Sequence, residues 1–335
     1  MPETILKVND LRVEFPTQDG VVKAVNGVSF ELPRGGTLAI TGESGCGKSS
    51  LGLAIMGLLP YPGVITSGSV TFRGRDLLAL NPEEMRPIRG AEIAIVFQDP
   101  STGLNPVLTV GAQVEEIIRN HLKVSKREAK DRAVQVLDRI GLPDAAQIIK
   151  RYPFELSGGM AQRVMIAIAT ALNPAVLILD EPTSALDVTV QAAILDDMKR
   201  LQQDDGTSII LISHDLGVVA QMADTVGVMY AGHLAEYAGV RTLFGAPRHP
   251  YSAALLASRP RPDREESRRL TVIHGAPPSP VDLPDECPFL PRCPKVTSEC
   301  RLERAPALRT IGADGHLAAC YNPMYIDDDA QARSA

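Results

Sequence analysis

The sequence contains no long run of Lys or Arg, and its formal net charge is −6. Nothing in it suggests a surface for a phosphate backbone, so nucleic acid is a poor partner class. It also lacks a membrane-length apolar stretch. The longest, Leu51–Leu59, falls far short of the roughly 20 residues a spanning helix needs, so the chain is not expected to cross a bilayer by itself. Residues 1–10 lack the basic start and apolar stretch of a secretory signal. The expected compartment is therefore reducing, and cysteines there serve as ligands or plain thiols rather than disulfides. No internal repeat is present. What remains is ordinary globular material: 335 residues, 44% apolar and 22% charged, enough for one large α/β domain and an appendage.

Leu11, Val13 and Phe15 alternate with Arg12 and Glu14, and Val28–Leu32 and Val70–Phe72 are short and β-like. The first 75 residues thus read as an antiparallel sheet around a nucleotide motif. Short apolar runs at Ile93–Phe97, Val176–Leu179 and Ser208–Ile212, each followed by turn or helix signals, predict a parallel α/β core. Between them, Val110 to about Ile149 has helical periodicity: Val110, Val114, Ile117 and Ile118 share a face. Ser125 with Glu128 predicts a capping box, and Gly141 a helix stop. This segment is expected to be a helical subdomain, about residues 105–172, inserted into the core. After Tyr237 come short helices, a Pro- and Arg-rich connector from Arg259 to about Pro284, and a segment with four of the five cysteines. The division expected is 1–240 for the main domain, 241–285 for a helix and connector, 286–322 for a cysteine-containing domain and 323–335 for an acidic tail.

Gly42-Glu43-Ser44-Gly45-Cys46-Gly47-Lys48-Ser49 fits the pattern G-x-x-x-x-G-K-[ST] between the β-like Thr37–Thr41 and the apolar helix Leu51–Leu59. Glycines let successive N–H groups turn toward phosphate oxygens, and the following helix adds its positive end. Lys48 reaches the β and γ phosphates and Ser49 is a Mg²⁺ ligand. Gly42, Ser44, Gly45, Cys46, Gly47 and Ser50 complete the expected nucleotide cradle. Cys46 sits where a helix N-terminus would lower a thiol pKa, but small size at a tight turn explains it as well, and no chemistry is assigned to it. Val176–Leu179 runs into Asp180 and Glu181, two carboxylates at a strand end: Asp180 to hold Mg²⁺ through water, Glu181 to face the attacking water. Leu156-Ser157-Gly158-Gly159-Met160 opens a predicted helix over 161–172, with Ser157 as its cap, and makes a second anion site. Because one nucleotide presents one γ-phosphate, this turn can serve a nucleotide held by another subunit.

The order of these motifs resembles that of ABC-transporter ATP-binding subunits: the Lys48 loop, Gln98 after its strand, the Leu156–Met160 turn, Asp180–Glu181, Ser184-Ala185-Leu186-Asp187, and His214 after Ile209–Ser213. The resemblance implies a P-loop NTPase core of the ABC ATPase type with an antiparallel β-subdomain and an inserted helical subdomain. It implies ATP and Mg²⁺ as cofactors. By the same resemblance Phe15 stacks on adenine, Gln98 touches Mg²⁺, the lytic water and the membrane partner, Glu181 is the general base, and His214 holds the γ-phosphate. Ser157, Gly158 and Gly159 serve the opposite subunit's ATP, and Asp187 lies on the loop joining the two sites. Met160 stands where Gln is commoner, at a position that is not a phosphate ligand in the family.

His249-Pro250-Tyr251, then Gly275-Ala276-Pro277-Pro278-Ser279-Pro280, then Cys287-Pro288-Phe289-Leu290-Pro291-Arg292-Cys293-Pro294 resemble the C-terminal extension of dipeptide and oligopeptide importer ATPases. That implies a bacterial or archaeal machine with an extracytoplasmic peptide-binding protein, two integral-membrane permeases and two ATPase subunits, the second a paralogue. The chain would then be peripheral on the cytoplasmic face of the inner membrane. Nickel and glutathione importers carry similar subunits, and a non-transport ABC ATPase acting on nucleic acid is the rival of another class. The rival's long coiled coil has no counterpart between Gln98 and Leu156. Cys287, Cys293, Cys300 and Cys320 are expected to ligate one [4Fe–4S] cluster. Their gaps of five, six and nineteen residues are looser than zinc knuckles, which leaves zinc as the alternative, and His316 leaves a mixed ligand set open.

Overall fold

The computed structural model describes residues 3–184, 186–258, 273–301, 304–311 and 315–325. In chain order come strands β1 (Thr4–Thr17), β2 (Gly20–Pro33) and β3 (Thr37–Thr41), helix α1 (Lys48–Met56), strands β4 (Val64–Phe72) and β5 (Arg75–Asp76), helix α2 (Pro82–Met85) and strand β6 (Ile93–Val96). Helices α3 (Pro100–Gly103), α4 (Val110–His121), α5 (Lys126–Arg139), α6 (Ala145–Ile148) and α7 (Gly158–Thr170) follow, then β7 (Val176–Asp180), α8 (Val188–Asp205), β8 (Ser208–Ile212) and α9 (Leu216–Met222). The chain closes with β9 (Thr225–Tyr230), β10 (His233–Gly239), α10 (Val240–Gly245), α11 (Pro250–Ala257), β11 (Arg309–Thr310) and β12 (Leu317–Ala318). Among the described residues no helix is long and apolar enough to cross a membrane.

The chain forms two compact units. One comprises Met1–Leu6, Leu32–Thr37 and Thr71–Ile212. In it β6, β7 and β8 run parallel, with Ile95 opposite Ile178 and Ile178 opposite Ile210. Every residue of β7 and β8 is buried, which is why these strands read as unbroken apolar runs. Between β6 and β7 in sequence, α4, α5 and α7 pack on one another. Each begins at a side-chain cap: Thr109, Ser125 and Ser157 accept from backbone N–H groups of their first turns. Only half of the capping box expected at Ser125 is formed. Its hydroxyl accepts from Glu128 N–H at 3.2 Å, while the Glu128 carboxylate pairs with Arg132 at 2.9 Å. Gly141, at φ +68°, supplies the expected left-handed stop.

The other unit comprises Lys7–Glu31, Leu38–Val70 and Ser213–Ala335. Here β1 neighbours both β2 and β4, and the two-residue link from β1 to β2 makes that pair antiparallel. β3 lies parallel to β9, Leu38 opposite Thr225, and β10 returns antiparallel. The β9–β10 turn is Ala231-Gly232, both at positive φ (+44° and +82°). Sequence pattern does not announce this hairpin, because an alanine holds a place where Asn or Asp would signal the turn. β12 adds to β10, and β11 to β12. Lys23 N–H donates to Pro280 O (3.2 Å) and Asp282 N–H to Val21 O (2.9 Å), so residues 280–282 are pinned along β2 of the same chain. Residues 259–272 of the connector and the tail from Ile326 lie outside the described residues.

Candidate functional site

Strand β3 is buried throughout and delivers the chain into the glycine loop. Gly42, Gly45 and Gly47 all have positive φ (+152°, +79°, +102°). At two of them a side chain is also excluded by backbone: a Cβ at Gly42 would lie 2.0 Å from Met229 O, and one at Gly47 would lie 1.8 Å from Ala24 O. The glycines are therefore demanded by packing as well as by torsion. Helix α1 starts at Lys48 with no acidic residue in its first turn to offset its positive end. The buried Lys48 side chain curls back, Nζ donating to Gly42 O (2.8 Å) and Glu43 O (3.0 Å). Burial pushes the Cys46 thiol up, with Lys48 opposing it in part, so Cys46 is not an activated thiolate. Ser44, Gly45 and Ser49 are exposed along the rim of the loop and Ser50 is partly so. Phe15 is partly buried, its ring against the Gly63 backbone, where a Cβ would approach within 2.5 Å. His214 is exposed in this unit, and the next residue caps α9: Asp215 accepts from Gly217 N–H at 2.7 Å.

In the other unit, Asp180 and Glu181 end β7 at 7% and 9% exposure, carboxylates held close to the core. Glu181 has φ +49°, a left-handed conformation for a non-glycine residue. It is held there by its N–H to Ile212 O (2.9 Å) and by Ser184, whose N–H and hydroxyl both donate to Glu181 O. Strain of this kind collects where a side chain must be aimed. Gln98 is exposed just past β6. Ser157 caps α7 by accepting from Met160 N–H, and a Cβ at Gly158 would meet nothing within 4 Å, whereas one at Gly159 would crowd Val190. Asp187 caps α8, accepting from Thr189 and Val190 N–H, in an exposed position. Ala185, in the same motif, lies outside the described residues. Arg163, further along α7, is anchored to the Ile140 carbonyl and to Asp197 of α8 (2.9 Å).

The four C-terminal cysteines, Cys287, Cys293, Cys300 and Cys320, line one pocket together with Phe289 and His249. All are free thiols. Burial, added to by the neighbouring thiols, pushes Cys287 up to about 11 and Cys320 up to about 12. Among the described residues no group of three or more His, Cys, Asp or Glu side chains is arranged to hold a metal ion. His316 faces elsewhere: its Nε2 meets Glu236 Oε1 at 2.6 Å, and His249 is the imidazole on the cysteine pocket. Sequence reading quotes Glu43, Tyr251 and Arg292 within its motifs but gives none of them a role. Glu43 fills a variable place in the loop pattern, and its partners lie more than 200 residues away: Tyr251 OH accepts from Glu43 N–H at 2.9 Å, and Arg292 pairs with its carboxylate.

A family described as "ABC transporter" matches residues 25–184, and one described as "Oligopeptide/dipeptide transporter, C-terminal region" matches residues 235–300. The dipeptide transport ATP-binding protein DppD of Bacillus subtilis is 48% identical over 320 residues, covering 95% of each chain. The oligopeptide transport ATP-binding protein OppD of Salmonella typhimurium is 49% identical, covering 96% of this chain and 94% of its own. The chain belongs to the dipeptide/oligopeptide group of ABC-transporter ATP-binding subunits. Among solved structures, a bacterial ABC transporter cassette determined as a dimer is 28% identical, with a TM-score of 0.64 over 70% of this chain and 99% of that one. The same cassette in a post-hydrolysis state bound to ADP and Pi gives the same values. The fold of this ATPase subunit is accordingly the mixed α/β ABC cassette, and its class of activity is ATP hydrolysis coupled to transport.

Proposed function

We propose that this subunit is the motor of an importer for dipeptides or oligopeptides, peripheral on the cytoplasmic face of the membrane. The observation that carries the reading is the Gly42–Ser49 loop, in which Gly42 and Gly47 are packed against the Met229 and Ala24 carbonyls and which opens into α1 at Lys48. Its N–H groups and Lys48 bind the phosphates, and Phe15 stacks on the base. Ser49, Gln98 and Asp180 are all hard oxygen donors, a set suited to Mg²⁺. Bound Mg²⁺ neutralises charge on the β and γ phosphates. Glu181 accepts the proton of the attacking water, and His214 steadies the γ-phosphate. Ser157, Gly158 and Gly159 close on the nucleotide of a second ATPase subunit, a paralogue, with Asp187 on the loop between the two sites. Two permeases and an extracytoplasmic peptide-binding protein complete the machine in this reading, which is in keeping with relatives named as dipeptide and oligopeptide transport ATP-binding proteins. In domain terms, residues 1–240 form the ATPase, 241–285 a helix and connector, 286–322 the cysteine-containing extension and 323–335 a tail.

A [4Fe–4S] cluster on Cys287, Cys293, Cys300 and Cys320 belongs to the same reading. What supports it is the sharing of one pocket by four thiols. Its role would be to hold the extension together. Anaerobic purification with iron, labile-sulfide and zinc analysis tests it: four irons and four sulfides per chain are expected, and a colourless protein with one zinc decides against it. The motor reading is tested by affinity capture of the tagged chain from membranes. Permeases and a second ATPase should co-purify and peptide should stimulate ATP hydrolysis in the reconstituted complex; nucleic acid in the eluate with no membrane protein would overturn it.

A further inference from the structure

The cysteine extension is tied to the phosphate loop through one side chain. Arg292, which directly precedes Cys293 and has a side chain only 5% exposed, forms a forked pair with Glu43 of the loop: Nη1 to Oε2 at 2.9 Å and Nη2 to Oε1 at 3.2 Å. The rest of the guanidinium is engaged as well. Nη1 also donates to Tyr230 OH (3.1 Å), Nε to His274 O (3.1 Å) and Nη2 to Ile273 O (3.3 Å). Behind it Phe289 packs on Tyr230 and Tyr251, at 5.3 and 5.4 Å between ring centroids. Glu43 is thus gripped at three points: its carboxylate by Arg292, its N–H by Tyr251 OH at 2.9 Å, and its carbonyl by Lys48 Nζ at 3.0 Å.

This grip has two physical consequences. Glu43 lies between Gly42 and Gly45, in backbone that would otherwise keep much of its freedom until a phosphate ordered it; a forked, charge-assisted pair fixes it beforehand. The second is electrostatic. A carboxylate within a loop that binds a polyphosphate repels it, unless a cation neutralises the carboxylate. Arg292 is that cation, and it arrives from the far end of the chain.

We propose that Arg292 is a positioning residue for nucleotide binding: by fixing and neutralising Glu43 it lets the cysteine extension set the affinity of the phosphate loop. The proposal rests on reading Gly42–Ser49 as the ATP site, and it adds a residue of the extension to that site's machinery. It predicts an unusual pattern. Arg292→Gln leaves Glu43 unpaired beside the phosphates and weakens binding, but Glu43→Gln removes the repulsion, so the double variant recovers.

The test is equilibrium binding of a non-hydrolysable, fluorescent ATP analogue with Mg²⁺ to the full chain and its variants. Arg292→Gln should weaken binding about ten-fold, the scale of a lost charge-assisted pair, and the loss should shrink as salt rises and screens the repulsion. Glu43→Gln, which gives up the fork but also the repelling charge, should lose less affinity than Arg292→Gln, and the double variant should bind more tightly than Arg292→Gln alone. Arg292→Lys, which keeps the charge but not the fork, should fall between the wild type and Arg292→Gln; it also carries the test if Arg292→Gln fails to fold. A dissociation constant unchanged in Arg292→Gln, or losses that simply add in the double variant, would overturn the proposal. Lys48→Ala separates the two levels: if it binds as well as the wild type, the site reading itself fails, whereas a loss there with none at Arg292 removes only the present inference.

Discussion

Glu236, which has no exposed surface, accepts from His316 Nε2 at 2.6 Å. The same carboxylate accepts the backbone N–H groups of Arg248 (2.6 Å) and His249 (2.8 Å). One side chain thereby joins three places: β10, on which Glu236 lies; the start of α11; and His316, immediately before β12. Glu236→Ala would leave a part-buried and a buried N–H group and a buried imidazole without their acceptor. At about 1–3 kcal/mol for each stranded group, a loss of about 3 kcal/mol or more is expected. Thermal unfolding of the full chain checks this. The midpoint should fall by several degrees in Glu236→Ala and by much less in Glu236→Gln, which keeps an acceptor oxygen.

Two other histidines give the fold a definite pH dependence. His249 and His233 are each lowered to about 4, chiefly by burial, with the Arg12 charge adding to the effect at His233. The geometry agrees with neutral rings: His249 Nδ1 accepts from Tyr251 N–H at 3.0 Å, and Asn26 Nδ2 meets His233 Nε2 at 3.1 Å. An unfolded histidine takes up its proton near pH 6.5, so between about 6.5 and 4 the unfolded chain binds more protons than the folded one. Stability is therefore full above that window and falls as the pH drops through it, by at most about 1.4 kcal/mol per pH unit for each ring. Urea midpoints measured from pH 7 down to 4.5 should show the slope. His249→Asn, which retains an N-terminal cap acceptor, should flatten it.

What was legible in the sequence was local. The phosphate loop, the Asp180–Glu181 strand end and the Ser157 cap each need only a few consecutive residues, and β3 and β8 have the bounds their apolar runs predict. The positive φ of Glu181 was not legible, because it is imposed by hydrogen bonds to Ile212 and Ser184 rather than by a residue type that favours it. Nor was the pinning of residues 280–282 along β2, or the pairing of Arg292 with Glu43, since neither a proline-rich stretch nor a lone arginine names a partner some 250 residues away. His316 shows the same limit from the other side. Its place near Cys320 in sequence suggested a ligand, while the fold gives it to Glu236.

The loop glycines separate two kinds of glycine requirement. Gly47→Ala places a methyl group 1.8 Å from Ala24 O at φ +102°, so both torsion and backbone packing oppose it. Gly45→Ala, at φ +79°, meets nothing within 4 Å and suffers only the torsional penalty of about 1 kcal/mol. Nucleotide binding should be abolished in the first variant and weakened only a few-fold in the second. Equal affinities would mean that the loop relaxes freely, against the packing described.

With Glu181 as the proposed base, Glu181→Gln is the substitution that isolates the chemical step. The amide preserves the size of the side chain and the Ile212 and Ser184 hydrogen bonds that hold residue 181 at φ +49°, because those bonds are made by the backbone. What it removes is the capacity to take a proton from water. Nucleotide affinity should then be unchanged, while turnover in the assembled complex falls by at least about 10²-fold, the lower range for loss of a general base. With hydrolysis blocked, ATP should hold the two ATPase subunits together, which size-exclusion chromatography with and without Mg²⁺-ATP will detect. Both active sites must carry the change for the comparison to be clean. If the doubly substituted complex still hydrolyses ATP at near the normal rate, the proton must pass to another group, and Gln98 and His214 become the residues to replace next.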